Sequence, residues 1–287
     1  MATELLVSRQ NRDGGWSYIR GVSWTEPTVY ATLALTSGGE ATAAGRGLDW
    51  LRSQQRPDGG WAPQAGIEES GWVTALVALM PPGQLGTEAH RRAIDWLVRS
   101  EGEEFTRVYR IRQWLLGNPA APGSEFAGWP WTQGAAAWVV PTSLAILALD
   151  KEQKRNPRPE ILRRIEEGRE YLLHRMCAGG GWNHGSVRAL GYESSAYPET
   201  TGLALAAMRG VRGRQVDESI ALARRFLAEC RSADACNWLR LGLLAHGELP
   251  VGYCPPREVA WRTLIETSVD ALVARAERGE DVFWSAA

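Results

Sequence analysis

Four glutamates and a group of aromatic residues stand where this chain could do chemistry. Glu26, Glu68, Glu69 and Glu199 lie at the openings of apolar stretches: EPTVYATLAL (Glu26–Leu35), ESGWVTALVALM (Glu69–Met80) and PETTGLALAAM (Pro198–Met208). A carboxyl there can act as a general acid or base if its surroundings tune its pKa to the task. The same position also suits a helix-capping carboxylate, because a helix N-terminus favours negative charge and holds a carboxyl pKa down. Both readings stand. Close to these openings lie Tyr18, Trp24, Trp72, Trp131, Trp138 and Tyr197, whose π faces can stack on an apolar chain or stabilise a cation. His184, in the stretch GGWNHG, joins them as a substrate-contact candidate. Trp129 reads as a packing residue.

Composition narrows the function classes. The 287 residues include 14 tryptophans and 31 glycines, and the net charge is −1. That charge carries no nucleic-acid footprint. The cysteines Cys177, Cys230, Cys236 and Cys254 form no CxxC pair, so neither a zinc ribbon nor a redox motif is indicated. MATELLVSRQNRD has no apolar core of signal-peptide length. The stretch Ala135–Leu149 is shorter than a membrane span and is broken by Pro-Thr-Ser. A cytoplasmic protein is expected, with a peripheral membrane contact left open.

The elements that position these residues repeat. The sequence DGGW occurs at Asp13–Trp16 and Asp58–Trp61, GGGW ends at Trp182, and AGW ends at Trp129. Unequal spacing of a fixed motif means one structural unit with variable loops. Before each corner lies an amphipathic helix: Thr3–Gln10, Ala44–Gln55 and Glu166–Met176. Similar patterns cover His90–Glu101, Val108–Asn118, Glu218–Cys230 and Arg257–Glu277. After each corner lies a helix that is apolar nearly all round, over Glu26–Leu35, Glu69–Met80, Val140–Asp150 and Pro198–Met208, with Asn237–His246 as a fifth. A helix apolar on every side is buried. The alternation predicts about five inner helices within about six outer ones, in one domain spanning 1–287. Glycine ends each outer helix and lets the chain turn back. Aspartate favours that turn, and Pro and Thr suit the first turn of the inner helix. The adjacent pair His90–Glu101 and Val108–Asn118 breaks the alternation: an inner helix is lost there, or one of the two faces inward.

Arg46, Gly47, Trp50, Leu51, Gln55, Gly59 and Trp61 fill each defined position of the "QW" motif of the squalene–hopene and oxidosqualene cyclases. A second copy keeps Ala2, Leu6, Gln10, Gly14 and Trp16, with Leu5 at the aromatic position. A third keeps Gly168, Tyr171, Leu172, Gly180 and Trp182, with Met176 in place of Gln. Over about residues 1–250 the chain resembles the superfamily that also contains the protein prenyltransferase β subunits. The resemblance implies an all-α (α/α)6 toroid and an apolar, isoprenoid-type small-molecule partner in a central aromatic-lined cavity. It implies no cofactor. The family's DxDD acid motif and the DDxxD metal motif are both missing, so the four glutamates become the candidate acids, with Glu69 and Glu199 foremost. Resemblance to the prenyltransferases opens a zinc alternative on Asp234 and Cys236, with His184 or His246 as a third ligand. A non-catalytic toroid that binds a hydrophobic ligand or a protein is the other alternative. Fold alone does not choose among these.

Overall fold

A computed structural model describes residues 2–118, 126–185, 188–189, 192–249, 253, 263–280 and 282–285. In chain order the helices are α1 (Ala2–Ser8), α2 (Thr25–Gly38), α3 (Ala41–Ser53), α4 (Val73–Ala78), α5 (Pro82–Leu85), α6 (Thr87–Arg99) and α7 (Arg107–Leu115). They continue with α8 (Val139–Arg155), α9 (Pro159–His174), α10 (Pro198–Ala207), α11 (Arg214–Glu229), α12 (Ala233–Ala245) and α13 (Leu264–Ala276). A two-residue antiparallel hairpin pairs Arg188–Ala189 with Tyr192–Glu193. Among the described residues, no helix is long and apolar enough to cross a membrane.

The helices form a closed double ring. Helices α2, α4, α8, α10, α12 and α13 pack each against the next, and α13 returns to α2. Outside them lie α1, α3, α6, α9 and α11. The fold is therefore the all-α toroid that the apolar and amphipathic patterns predict. One helix is placed differently. The amphipathic stretch Arg257–Glu277 reads as an outer helix, whereas α13 closes the inner ring; residues 257–262 of that stretch lie outside the described residues, as does Cys254. The charges that disguise α13 are used inward: Asp270 and Glu277 accept hydrogen bonds from the buried Arg240 guanidinium of α12, at 2.6 and 2.7 Å.

The broken alternation also resolves. Helix α6 is an ordinary outer helix, burying Ala93, Ile94 and Leu97. Helix α7 faces neither inward nor the core; it buries no residue.

Each GGW corner is a clamp. The indole N–H of the corner tryptophan donates to the end of an outer helix: Trp16 to the Leu6 carbonyl (2.7 Å), Trp61 to Leu51 (2.7 Å), Trp129 to Leu97 (2.8 Å) and Trp182 to Leu172 (2.7 Å). Its main-chain N–H donates to a threonine hydroxyl in the first turn of the next inner helix, from Trp16 to Thr28, Trp61 to Thr74 and Trp129 to Thr142, each at 2.9 Å. Trp182 repeats this with Thr201 at 3.0 Å. One residue thus ties the end of an outer helix to the first turn of the next inner one. Asp13 and Asp58 carry the unit forward, because Trp50 and Trp96 of the following outer helices donate to them at 3.1 Å. Gly59 turns the chain at φ +97, a left-handed conformation that a side chain would strain.

The inner ring is tightest between α10 and α12. A Cβ on Gly202 would stand 2.3 Å from the Trp238 main chain, and one on Gly242 would stand 2.4 Å from the Gly202 carbonyl oxygen. The two backbones touch, and the N-terminal ends of both helices reach the same cavity.

Candidate functional site

The first turns of the inner helices line a cavity of about 400 Å³, a volume suited to a small organic ligand. Its acids are Glu26 of α2, Glu199 of α10 and Asp234 of α12. Its walls include Trp72, Trp131, Tyr30, Trp238 and His184, with Val140, Leu144, Leu203 and Ile265 as the aliphatic part. Trp72 and Trp131 meet edge to face, with ring centroids 5.0 Å apart, and the Trp72 main-chain N–H donates to the Trp131 carbonyl at 3.0 Å.

Helix geometry explains why these residues converge. Residues four apart share a helix face. The pairs Glu26/Tyr30, Val140/Leu144, Glu199/Leu203 and Asp234/Trp238 are each spaced by four, and every member lines the cavity. The first residue of each pair lies in or beside the opening turn, and the second lies one turn deeper.

Burial sets the electrostatics. Glu26 accepts a hydrogen bond from the Tyr18 hydroxyl, which favours its charged form. Even so, its pKa is pushed up to about 7; desolvation is the larger effect, and the nearby Asp234 charge adds to it. Asp234 is pushed up to about 6 by burial and by Glu199, against the Trp238 indole N–H that donates to it at 3.0 Å. Position at a helix N-terminus would lower a carboxyl pKa, so at both groups burial outweighs the dipole. Two carboxyls raised toward neutrality and facing an aromatic wall can deliver or accept a proton.

The sequence candidates divide. Glu26, Glu199, Trp72, Trp131 and His184 come together in the cavity. Glu68 and Glu69 do not: both are exposed. Helix α4 starts only at Val73, which leaves the two glutamates on the preceding loop, where the Glu68 carbonyl accepts from the Arg56 guanidinium. Trp138 and Tyr197 are 38% and 42% exposed, and Tyr197 stands edge-on to His184 at 5.3 Å. Tyr18 and Trp24 pack together behind Glu26. Trp129 is buried in its corner. Tyr30 and Trp238 are cavity residues that sequence reasoning passes over; the four-residue step from an acid was their signal.

The zinc alternative fares differently. Asp234 faces the cavity, while the buried Cys236 thiol lies by the Cys230 carbonyl at 3.9 Å. Burial and the neighbouring Cys230 push the Cys236 thiol up to about 11. His246 caps another helix, with Nε2 3.0 Å from the Leu205 carbonyl. Among the described residues no three His, Cys, Asp or Glu side chains are grouped to hold a metal.

No protein-family profile matches the chain. It is 29% identical over 139 residues to the squalene–hopene cyclase of Zymomonas mobilis, a match covering 39% of this chain and 21% of the relative. It is 49% identical over 63 residues to the drimenyl diphosphate synthase of Streptantibioticus cattleyicolor, covering 21% of this chain and 12% of that one. The chain thus spans about a fifth or less of the length of these curated relatives. Among solved structures, a type II terpene cyclase from Scytonema in complex with geranylgeranyl dihydroxybenzoate matches with a TM-score of 0.54 at 17% identity, over 96% of this chain and 80% of that one. The family 8 endoglucanase of Klebsiella pneumoniae matches with a TM-score of 0.63 at 16% identity, over 96% and 98%.

Proposed function

We propose that this terpenoid cyclase-like toroid protonates, and then deprotonates, an apolar isoprenoid-type molecule held in its central cavity. Glu26 is the general acid, with Asp234 and Glu199 the carboxylates that take the proton back. Trp72, Trp131, Tyr30 and Trp238 are the faces on which positive charge develops in between. The observation that carries this reading is the pairing of one carboxyl raised to about 7 with an aromatic-walled cavity of about 400 Å³. The sequence likeness to squalene–hopene cyclase and drimenyl diphosphate synthase supports the substrate class. So does the bound ligand named for the Scytonema neighbour.

Native mass spectrometry of the purified, unheated protein tests the ligand class. A co-purifying lipid that is lost in Trp72→Ala is the expected result. An unadorned mass, with no retention of added squalene or polyprenyl diphosphate, would remove the apolar ligand from the reading.

The likeness to an endoglucanase favours a second reading, because three carboxyls on inner-helix openings also suit acid/base cleavage of a glycosidic bond. Release of sugar from cello-oligosaccharides, abolished in Glu26→Gln, would select it. The exposed helix α7 supports a peripheral membrane contact: Val108, Ile111, Trp114 and Leu115 are each more than half exposed, beside Arg107, Arg110 and Arg112.

A further inference from the structure

We propose that Phe283 is the floor of the cavity, a positioning residue that props the Trp238 indole from behind and so sets how long a ligand the cavity takes. This deepens the reading above and rests on it for the class of ligand.

The bore of a helical ring has two mouths. The first turns of the inner helices line the cavity at one of them. Residues 282–285 cross the other, because their partners lie at the far ends of the inner helices. The Trp284 indole N–H donates to the Ala206 carbonyl at the end of α10, at 3.2 Å, and the Arg209 guanidinium covers the Trp284 ring at 4.7 Å. Lys151, in the last third of α8, donates to the Leu79 carbonyl just past α4 at 2.7 Å and to the Val282 carbonyl at 2.9 Å. Lys154, one turn on, donates to the Trp284 carbonyl at 3.4 Å. Lys151 is buried, and a buried ammonium is costly unless hydrogen bonds satisfy it. These bonds staple the segment across the ring.

The staples aim Phe283 into the bore. Its side chain is fully buried. Its ring centroid lies 6.3 Å from that of Trp238, with planes at 65°, and Trp238 lies 6.4 Å from Tyr30 at 64°. Trp238 and Tyr30 both line the cavity, so Phe283 stands one ring behind the cavity wall. The Trp238 indole is therefore fixed from two sides. Its N–H donates to Asp234 at 3.0 Å, and its ring rests on Phe283.

The prop limits depth. An indole with a phenyl ring behind it cannot retreat before a longer ligand. With that ring removed, the vacated space is open to the indole, and the cavity gains what the indole gives up. A phenyl ring has six carbons, close to the bulk of one five-carbon isoprene unit.

The experiment is competition native mass spectrometry of the full chain with the linear alcohols geraniol, farnesol, geranylgeraniol and geranylfarnesol. In the native protein affinity climbs with each isoprene unit until the chain meets the floor. It then levels off, because further units extend into solvent at the mouth. In Phe283→Ala the plateau comes one unit later, and affinity for the first alcohol beyond the native plateau rises by about tenfold or more. Phe283→Met refills the space with an adaptable side chain and keeps the native plateau. Phe283→Val makes the same test with less loss of bulk if the alanine variant does not fold. A residue that only packs the core would lower the melting temperature and leave the plateau in place. That result in folded Phe283→Ala or Phe283→Val would overturn the floor and leave the apolar ligand standing, as would an affinity that climbs through the whole series in the native protein. Native protein that binds none of the alcohols would overturn the ligand class, and the floor with it.

Discussion

Glu26 makes its own case at the scale of one residue. Its folded-state pKa, about 7, lies above the ordinary carboxyl value of 4.5. A raised carboxyl favours the folded state while protonated, and that advantage is lost as pH climbs from about 4.5 to about 7. Glu26→Gln removes the penalty. The variant should therefore match the native protein in stability at pH 4 and exceed it at pH 8, by about 1–3 kcal/mol. Thermal melts across that range check the sign; a variant less stable at pH 8 would mean that the charged form is the better accommodated one. Asp234→Asn should show the same trend over a lower window, because its carboxyl is raised to about 6. In sequence Glu69 and Glu199 lead the four candidate acids, and Glu26 stands behind them although it too opens an apolar run. Glu26 and Glu69 differ because α2 starts at Thr25 and so takes Glu26 into its first turn, whereas α4 starts at Val73 and leaves Glu69 in solvent. A shift of a few residues in helix start is the kind of boundary that apolar periodicity does not fix.

Corner and helix pair are the next scale. Trp61→Phe keeps an aromatic ring in the corner but leaves the Leu51 carbonyl without its indole donor. That carbonyl keeps the Gln54 main-chain N–H at 3.1 Å, so the variant loses one net hydrogen bond, about 0.5–1.5 kcal/mol. Denaturant unfolding should report that loss, and Thr74→Val, which removes the partner of the Trp61 main-chain N–H, should cost a similar amount. Gly202→Ala tests a different contact. Its new methyl would meet main chain of α12 rather than a side chain that can swing away. Overpacking of about 1–3 kcal/mol is expected, with the cavity disturbed because Glu199 and Asp234 stand on the two helices forced apart. The corners were legible because DGGW announces both the turn and the residue that staples it. The α10–α12 approach was not, because neither glycine belongs to a repeated motif.

For the whole molecule, ring closure decides what the cavity is. Helix α13 carries Glu266, Asp270 and Arg275, which gave its sequence an outer-helix look, yet it completes the inner ring and brings Ile265 to the cavity wall. The inward role of Asp270 escaped correct reading because its partner, Arg240, lies thirty residues away in sequence and is itself buried. Helix α7 stands apart from the ring. Trp114→Glu combined with Ile111→Glu should abolish binding to anionic vesicles in flotation assays while leaving the melting temperature unchanged, since neither residue is buried. Retained vesicle binding would place the membrane contact elsewhere. Proton delivery by the cavity carboxyls to an isoprenoid is measured by turnover in deuterated water with squalene and polyprenyl diphosphates as substrates. The expected outcome is a cyclised or isomerised product carrying one solvent deuterium, formed by the native protein and not by Glu26→Gln. Product formed equally well by Glu26→Gln, or no product from any of these substrates with fully folded protein, would contradict it.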